Sequence, residues 1–246
     1  NNSKSEFVSF VAHELKNPMT SIKGFAAAMS SGMTGQINDQ QKSFLDTILK
    51  NVERLSTLVT DLNDVTRLQT NNMAMEFAPQ PVMPLIEDTL RPLEQQIAGR
   101  EQQVTLAIPA DLPLIQADKN RLLQVLTNIL SNAHKYTPHG GSITITARVR
   151  ERNLDSKNRD LGPAVHFTIA DTGLGISEAD LKKLFTTYFR STNPEALEQP
   201  GTGLGLTITR EIILKHGGLV WVESALGKGT QFHFTIPLAP EPVPTP

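Results

Sequence analysis

Three groups of residues have the types and spacing to hold a nucleotide. Asp171-Thr172-Gly173-Leu174-Gly175-Ile176 sets one carboxylate beside two glycines. Thirty residues on, Gly201-Thr202-Gly203-Leu204-Gly205-Leu206 sets three alternating glycines at the head of an apolar stretch that reads as a helix. Glycine lets a backbone approach a ligand with no Cβ in the way, and amides at a helix start favour phosphate oxygens. A purine held by Asp171, with the Gly201 loop at its other end, suits such a pair. The third group is Asn128 and Asn132, four apart and so on one face of a helix, with Lys135 and Tyr136 at its end. Amide oxygens suit a hard cation such as Mg²⁺, which keeps waters and takes phosphate oxygens as further ligands. Lys135 adds charge for phosphate, and Tyr136 a flat surface for a base. An isolated Asn-x-x-x-Asn is usually a solvated helix face; followed by the two glycine segments in this order, it reads as part of the same site.

The elements that must position these residues are of two kinds. Residues 5 to 69 read as two helices. In the second, Leu45, Ile48, Val52, Leu55, Val59 and Leu62 recur at alternating steps of three and four, a heptad-like seam. In the first, Phe7, Phe10, Val11, Leu15, Ile22 and Phe25 form a looser stripe. Ser30 to Ile37, with Gly32 and Gly35, is the connector, and Asn38 with Gln41 resembles a capping box for the second helix. A two-helix hairpin buries little alone, so a dimeric four-helix bundle is the economical outcome, against packing of both helices on the rest of the chain.

From Asn71 the composition changes. Pro79, Pro81 and Pro84 break helix, and Val104 to Ile108, Ile143 to Val149 and Val165 to Ile169 alternate as half-buried strands do. Val220 to Glu223 and Thr230 to Ile236 flank Gly227-Lys228-Gly229, a hairpin signal. Helical stretches fall at Leu85 to Ala98, Lys119 to His134, Glu178 to Leu184 and Leu206 to His216. The mixture predicts an α+β fold: a helical hairpin over 1–69, a linker over 70–80, a sheet with helices on one face over 81–238, and a disordered Pro-rich tail over 239–246. Arg150 to Asp160 reads as a solvated excursion.

Of 246 residues, 23 are basic and 25 acidic, so charge alone points to no nucleic-acid or acidic-lipid partner. The absence of cysteine removes disulfides, thiolate metal sites and cysteine nucleophiles. No apolar run approaches the ~20 residues of a spanning helix, and Asn1-Asn2-Ser3-Lys4 is no signal peptide. With no initiating Met, the chain reads as a cytoplasmic fragment, any membrane anchor being expected in a part upstream of it. The glycine spacing is not a dinucleotide fingerprint, and no P-loop or protein-kinase Asp-Phe-Gly is found. His134, His139, His166, His216 and His233 show no ligand spacing.

Asn128 to Tyr136, Asp171 to Ile176, Leu184-Phe185-Thr186-Thr187-Tyr188-Phe189-Arg190 and Gly201 to Leu206 resemble, in order, the four nucleotide-binding boxes of sensor histidine kinases. The wider GHKL ATPase superfamily, with DNA gyrase, the large heat-shock chaperones and mismatch-repair ATPases, shares most of this pattern. The resemblance implies a two-layer α/β sandwich that binds ATP with Mg²⁺. It implies that Asp171 accepts a hydrogen bond from the adenine amino group, that Asn132 holds Mg²⁺ with Asn128 close by, and that Arg190 and Lys135 reach phosphates. Ser191 to Pro200 would form a mobile lid, and Thr230, in Gly227-Lys228-Gly229-Thr230, would sit near the base. Tyr188 departs from the phenylalanine usual in the third box.

At the other end, Phe10-Val11-Ala12-His13-Glu14-Leu15-Lys16-Asn17-Pro18 is similar to the phosphoacceptor box of the commonest histidine kinase class. The chemistry suits the residues. A neutral imidazole is a good nucleophile near pH 7, and Glu14 can take the proton from its other nitrogen. Asn17 lies one turn on, where its amide could orient a water against a phosphohistidine, and Pro18 can bend the helix just past the site. A zinc-protease reading fails because Asn17 stands where the second histidine is required. The resemblance implies a homodimer that phosphorylates His13 from ATP and passes the group to an aspartate of a response-regulator receiver domain, with a regulator phosphatase activity through Asn17. Two rivals stand beside it: a nucleotide-binding dimer that signals by shape, and an ATPase that hydrolyses ATP directly. Against the second, Asn128 stands, by resemblance, where such enzymes carry a water-activating glutamate, and an amide is no base.

Overall fold

The computed structural model describes residues 2–69, 73–199 and 201–240; the side chains of 2–7, Ser9, His13 and Gln69 lie outside that description. The chain divides into two units, 1–73 and 74–246.

The first unit is an antiparallel hairpin of α1 (Asn2–Ser30) and α2 (Asp39–Gln69). Met19 meets Ser56 and Lys23 pairs with Glu53 at 3.3 Å, which fixes the direction. The capping box is present and reciprocal: Gln41 N–H donates to Asn38 Oδ1 at 2.8 Å and Asn38 N–H to Gln41 Oε1 at 2.9 Å. The seam of α2 divides, however. Leu45 and Val52 are buried while Ile48, Leu55 and Leu62 are exposed. Among the described side chains of α1 the buried hydrophobic ones are Ala12, Met19 and Ala26, seven apart, rather than the expected Phe10, Leu15, Ile22 and Phe25, which are exposed; the side chain of Phe7 lies outside the described residues. Small residues let the two backbones approach, so the larger ones are left on the outer side. Pro18 lies within α1, which runs on past it.

The second unit opens with β1 (Ala78–Gln80), antiparallel to β3 (Ile115–Ala117). Residues 78–80 are therefore not linker, and the junction lies nearer 73. Then come α3 (Val82–Leu90), a 3₁₀ turn at Arg91–Leu93, α4 (Glu94–Gly99) and β2 (Gln103–Ala107). Pro84 sits in the first turn of α3, where its missing N–H costs nothing. After β3 follow α5 (Lys119–Tyr136), β4 (Ser142–Arg150), β5 (Ala164–Asp171), α6 (Glu178–Leu181), α7 (Pro194–Leu197), α8 (Gly205–Lys215), β6 (Val220–Ser224) and β7 (Thr230–Pro237). The main sheet has the order β2-β4-β5-β7-β6, antiparallel except for the β2–β4 pair.

Helices α5 and α8 pack together and on the sheet, with α3 against α5. The core lies between: Phe167 and Phe234 stack 4.6 Å apart with Leu122, Leu126, Ile129, Ile212 and Ile213 above them. The opposite face of β5 is also covered, so this strand is not half-buried as its alternation predicts. There His166, Trp221 and His233 stack with centroids 5.0–5.3 Å apart. The segment after β4 is not wholly solvated either, since Asn153 is fully buried and donates to Thr235 Oγ1 at 3.1 Å. Ala239, expected in the disordered tail, donates its N–H to the Leu114 carbonyl at 2.8 Å; 241–246 lie outside the described residues.

Candidate nucleotide cleft and phosphoacceptor helix

Asp171 ends β5, directly across the ladder from Thr230, the first residue of β7. One carboxylate oxygen, Oδ1, accepts the Gly173 N–H at 2.8 Å and the Thr230 N–H at 3.3 Å. The other, Oδ2, has no hydrogen-bond partner among the described residues. Burial holds the carboxyl above its ordinary range, with the two amides opposing that shift. The close pairing requires Gly229: at φ +80°, a Cβ there would lie 1.9 Å from the Asp171 carbonyl oxygen. Beyond Asp171 the chain turns through Gly173, Gly175 and Ile176. Gly173 packs on the Tyr136 carbonyl, and that carbonyl accepts the Leu174 N–H at 3.2 Å.

The last turn of α5 is fixed from beneath by residues the sequence did not single out. Gln102, buried just before β2, donates Nε2–H to the carbonyls of His134 and Thr137 at 3.0 and 2.7 Å. Its Oε1 is then left to accept from His134 Nδ1 at 2.6 Å. Arg100 donates to the carbonyls of His134 and Lys135. These contacts satisfy the otherwise orphaned end of the helix and set Lys135 and Tyr136 beside the Asp171 segment. Lys135 Nζ lies 3.7 Å from where a Cβ on Gly201 would stand. Burial and the nearby Arg190 guanidinium hold the Lys135 ammonium below its ordinary value, and burial pushes the Tyr136 phenol up.

One turn back, Asn128 and Asn132 diverge. Asn128 donates Nδ2–H to Thr209 Oγ1 on α8 at 2.9 Å. Its amide fills the space over Gly205, where a Cβ would stand 2.4 Å from Oδ1. Asn128 therefore locks α5 to the start of α8 and holds the glycine loop down. Asn132, half-buried, has an amide with no hydrogen-bond partner among the described residues. It is the residue with an oxygen to offer a cation. No group of three or more His, Asp or Glu side chains converges for a metal among the described residues.

The loop of Gly201, Thr202, Gly203 and Leu204 enters α8 at Gly205 and Leu206. Gly203 accepts the Tyr188 N–H at 2.9 Å, which ties the third box to the loop. Tyr188 stands at φ 63°, an uncommon left-handed position for a non-glycine residue. Arg190, expected at phosphates, donates to the carbonyls of Leu197 and Gln199 at 2.9 and 2.8 Å, closing the segment that carries α7. Pro200, the expected end of the lid, lies outside the described residues.

In the first unit His13, Glu14 and Asn17 all lie on α1, Glu14 and Asn17 exposed, while the side chain of His13 is outside the described residues. Just beyond Pro18, Thr20 and Ser21 donate back to the carbonyls of Lys16 and Asn17, a pattern that favours local bending. Among the described residues no helix is long and apolar enough to cross a membrane.

Comparison with known proteins places both units. Residues 117–240 match the family described as Histidine kinase-, DNA gyrase B-, and HSP90-like ATPase, and residues 3–71 match the His Kinase A (phospho-acceptor) domain. The chain is 33% identical to the Non-motile and phage-resistance protein of Caulobacter vibrioides, over 97% of the chain and 27% of that protein. It is also 33% identical to the Adaptive-response sensory kinase SasA of Thermosynechococcus vestitus, over 96% of the chain and 60% of SasA. Its length is thus from about a quarter to three-fifths of these curated relatives. Among solved structures, full-length ShkA in complex with AMPPNP superposes with a TM-score of 0.76 at 27% identity, covering 98% of this chain and 47% of ShkA. The catalytic domain of the histidine kinase ThkA does so with a TM-score of 0.56 at 29% identity, over 68% of this chain and all of that domain. With a phosphoacceptor hairpin followed by an ATPase-type sandwich, the chain belongs to the two-component sensor histidine kinases.

Proposed function

We propose that the protein carrying this chain binds ATP in the Asp171 cleft, phosphorylates His13, and passes the phosphoryl group to an aspartate of a response-regulator receiver domain. The observation that carries this reading is the half-committed carboxylate: Asp171 Oδ1 is tied to two amides while Oδ2 is left for a ligand donor. An adenine amino group is such a donor. Lys135 and the Gly201 loop offer charge and amides for the phosphates, and Asn132 would hold Mg²⁺, which when bound neutralises phosphate charge.

In the transfer, a neutral ring nitrogen of His13 attacks the γ-phosphorus. The bond from that phosphorus to the bridging oxygen breaks and ADP departs, while Glu14 takes the proton from the other ring nitrogen. The regulator's aspartate then displaces the imidazole from phosphorus. Asn17 serves a phosphatase activity by orienting a water. The hairpin pairs with a second copy through the outer seam of Ile48, Leu55 and Leu62, because these side chains are exposed in the single chain.

Direct hydrolysis is disfavoured by Asn128, whose amide is engaged with Thr209 and has no basicity to activate water. Incubation with Mg²⁺ and γ-labelled ATP separates the readings. Acid-labile label that disappears in His13→Gln supports the kinase. Label that persists in His13→Gln removes His13 from the mechanism, and free phosphate without label indicates a hydrolase. Asn17→Ala is expected to slow regulator dephosphorylation and spare autophosphorylation; equal loss of both would count against its role.

A further inference from the structure

Ser224, the last residue of β6, stands between the two segments that hold Asp171. Its hydroxyl oxygen lies 2.8 Å from the Ile176 amide nitrogen, 2.7 Å from the Gly229 carbonyl oxygen and 3.1 Å from Thr230 Oγ1. Counting protons assigns every one of these contacts. A hydroxyl has one proton and two lone pairs. The Gly229 carbonyl can only accept, so it takes the Ser224 proton. The Ile176 amide can only donate, so it fills one Ser224 lone pair. The remaining contact is then a lone pair of Ser224, and the Thr230 hydroxyl must donate into it.

Thr230 is thereby left with lone pairs alone for any further partner. Its ladder neighbour Asp171 is in the same condition, since both amides fall on Oδ1. Two acceptors side by side suit a group with two N–H donors. A 6-amino purine brings that group; a 6-oxo purine brings a carbonyl, and lone pairs would oppose lone pairs.

We propose that Ser224 is a positioning residue for base specificity: by taking up the Thr230 proton it fixes Thr230 Oγ1 and Asp171 Oδ2 as paired acceptors that select a 6-amino over a 6-oxo purine. This rests on the reading of the Asp171 cleft as a purine site. Without Ser224 the Thr230 hydroxyl is free to turn and donate, so a 6-oxo group becomes acceptable.

The test is equilibrium binding of ATP and of ITP, with Mg²⁺, to the whole 246-residue chain. The readout is the ratio of the two dissociation constants rather than either value, because a merely structural loosening weakens both nucleotides alike. The unaltered chain is expected to prefer ATP by about tenfold or more, the scale of one unsatisfied buried polar contact. Ser224→Ala is expected to narrow that ratio by about fivefold. Thr230→Val, which removes the hydroxyl and keeps Ser224, narrows it as well, and adding Ser224→Ala to Thr230→Val changes it no further. An unchanged ratio in either single variant overturns the proposal while leaving the purine site standing. If the unaltered chain binds neither nucleotide, the purine site falls, and the proposal with it.

Discussion

Phe167 and Phe234 lie parallel and wholly buried at the centre of the sheet unit. In the hairpin, Leu55 is 51% exposed and Phe25 73% exposed. Both units are built from regular elements with apolar stripes, but only the sheet unit has a second layer to close over its stripe. Helices α5 and α8 cover the inner face of the sheet, and the stacked His166, Trp221 and His233 cover part of the other. The hairpin has two elements and hence one interface. Ala12, Met19 and Ala26 of α1 and Leu45 and Val52 of α2 are buried there, and Phe10, Phe25, Ile48 and Leu55 remain outside. Burying a Leu or Ile side chain is worth about 1.5–3 kcal/mol, so the uncovered seam is a standing drive to associate. On the function proposed above, the sheet unit holds its own ligand cleft, whereas the hairpin is completed by association.

The largest test of that contrast is to charge the outer seam. Ile48→Lys with Leu55→Lys puts two ammonium groups on each protomer where apolar burial is expected. The dimer dissociation constant should rise by at least about 100-fold, since tenfold corresponds to about 1.4 kcal/mol. ATP affinity, read by titration on the same sample, should not move, because neither residue belongs to the sheet unit. A dimer that survives unchanged in sedimentation would place the interface elsewhere.

Acid should separate the units by the opposite route. In the sheet unit burial lowers the pKa of His134, His166, His216 and His233, and His166 falls from 6.5 to about 4. The neutral rings are the ones that fit. His216 shows why: Nδ1–H donates to the Ile212 carbonyl at 2.8 Å while Nε2 accepts the Asp118 N–H at 3.1 Å, so an added proton breaks the second bond. A folded-state pKa below the unfolded one means that the folded state binds fewer protons in the interval. The stabilisation is therefore complete above about pH 6.5 and is lost as pH falls toward 4. Near-ultraviolet circular dichroism reports this unit through Trp221, the single tryptophan of the chain. Its signal should be lost across that interval in less denaturant than at pH 7, and stability flat from pH 7 to 4 would contradict the assignment.

Some of this was legible in the residues and some was not, for reasons that differ between the units. Asn38 and Gln41 announced their cap because a capping box is local. The α2 seam was legible as a period, but which half faces α1 was not. The described inner stripe of α1 is Ala12, Met19 and Ala26, where close approach matters more than hydropathy, so Phe10 and Phe25 pointed to the wrong side. In the sheet unit the glycine segments announced themselves through residue type. Gln102, Thr209 and Ser224 did not, because each acts on a partner 32 or more residues away, or across a ladder, through an ordinary polar group. Strands β1 and β3 are three residues each and carry no period to read.

The smallest effects should come from the helix caps, and their ranking sharpens the same contrast. Asp118 caps α5, accepting the Arg121 N–H on Oδ1 and the Glu76 N–H on Oδ2, and it is buried. Asn38 caps α2 in the open, where water can replace either bond. Loss of a cap costs about 0.5–2 kcal/mol, and a buried donor left unsatisfied adds to it. Asp118→Ala should therefore fall at or above the upper end of that range and Asn38→Ala near the lower. Thermal unfolding followed at 222 nm and by Trp221 fluorescence distinguishes the units, since the only tryptophan lies in the second. Asp118→Ala should lower the fluorescence midpoint. Asn38→Ala should leave it in place and shift only the helical signal. If the two caps cost the same, burial at Asp118 contributes nothing beyond the cap itself, and the closed core of the sheet unit does not extend to the start of α5.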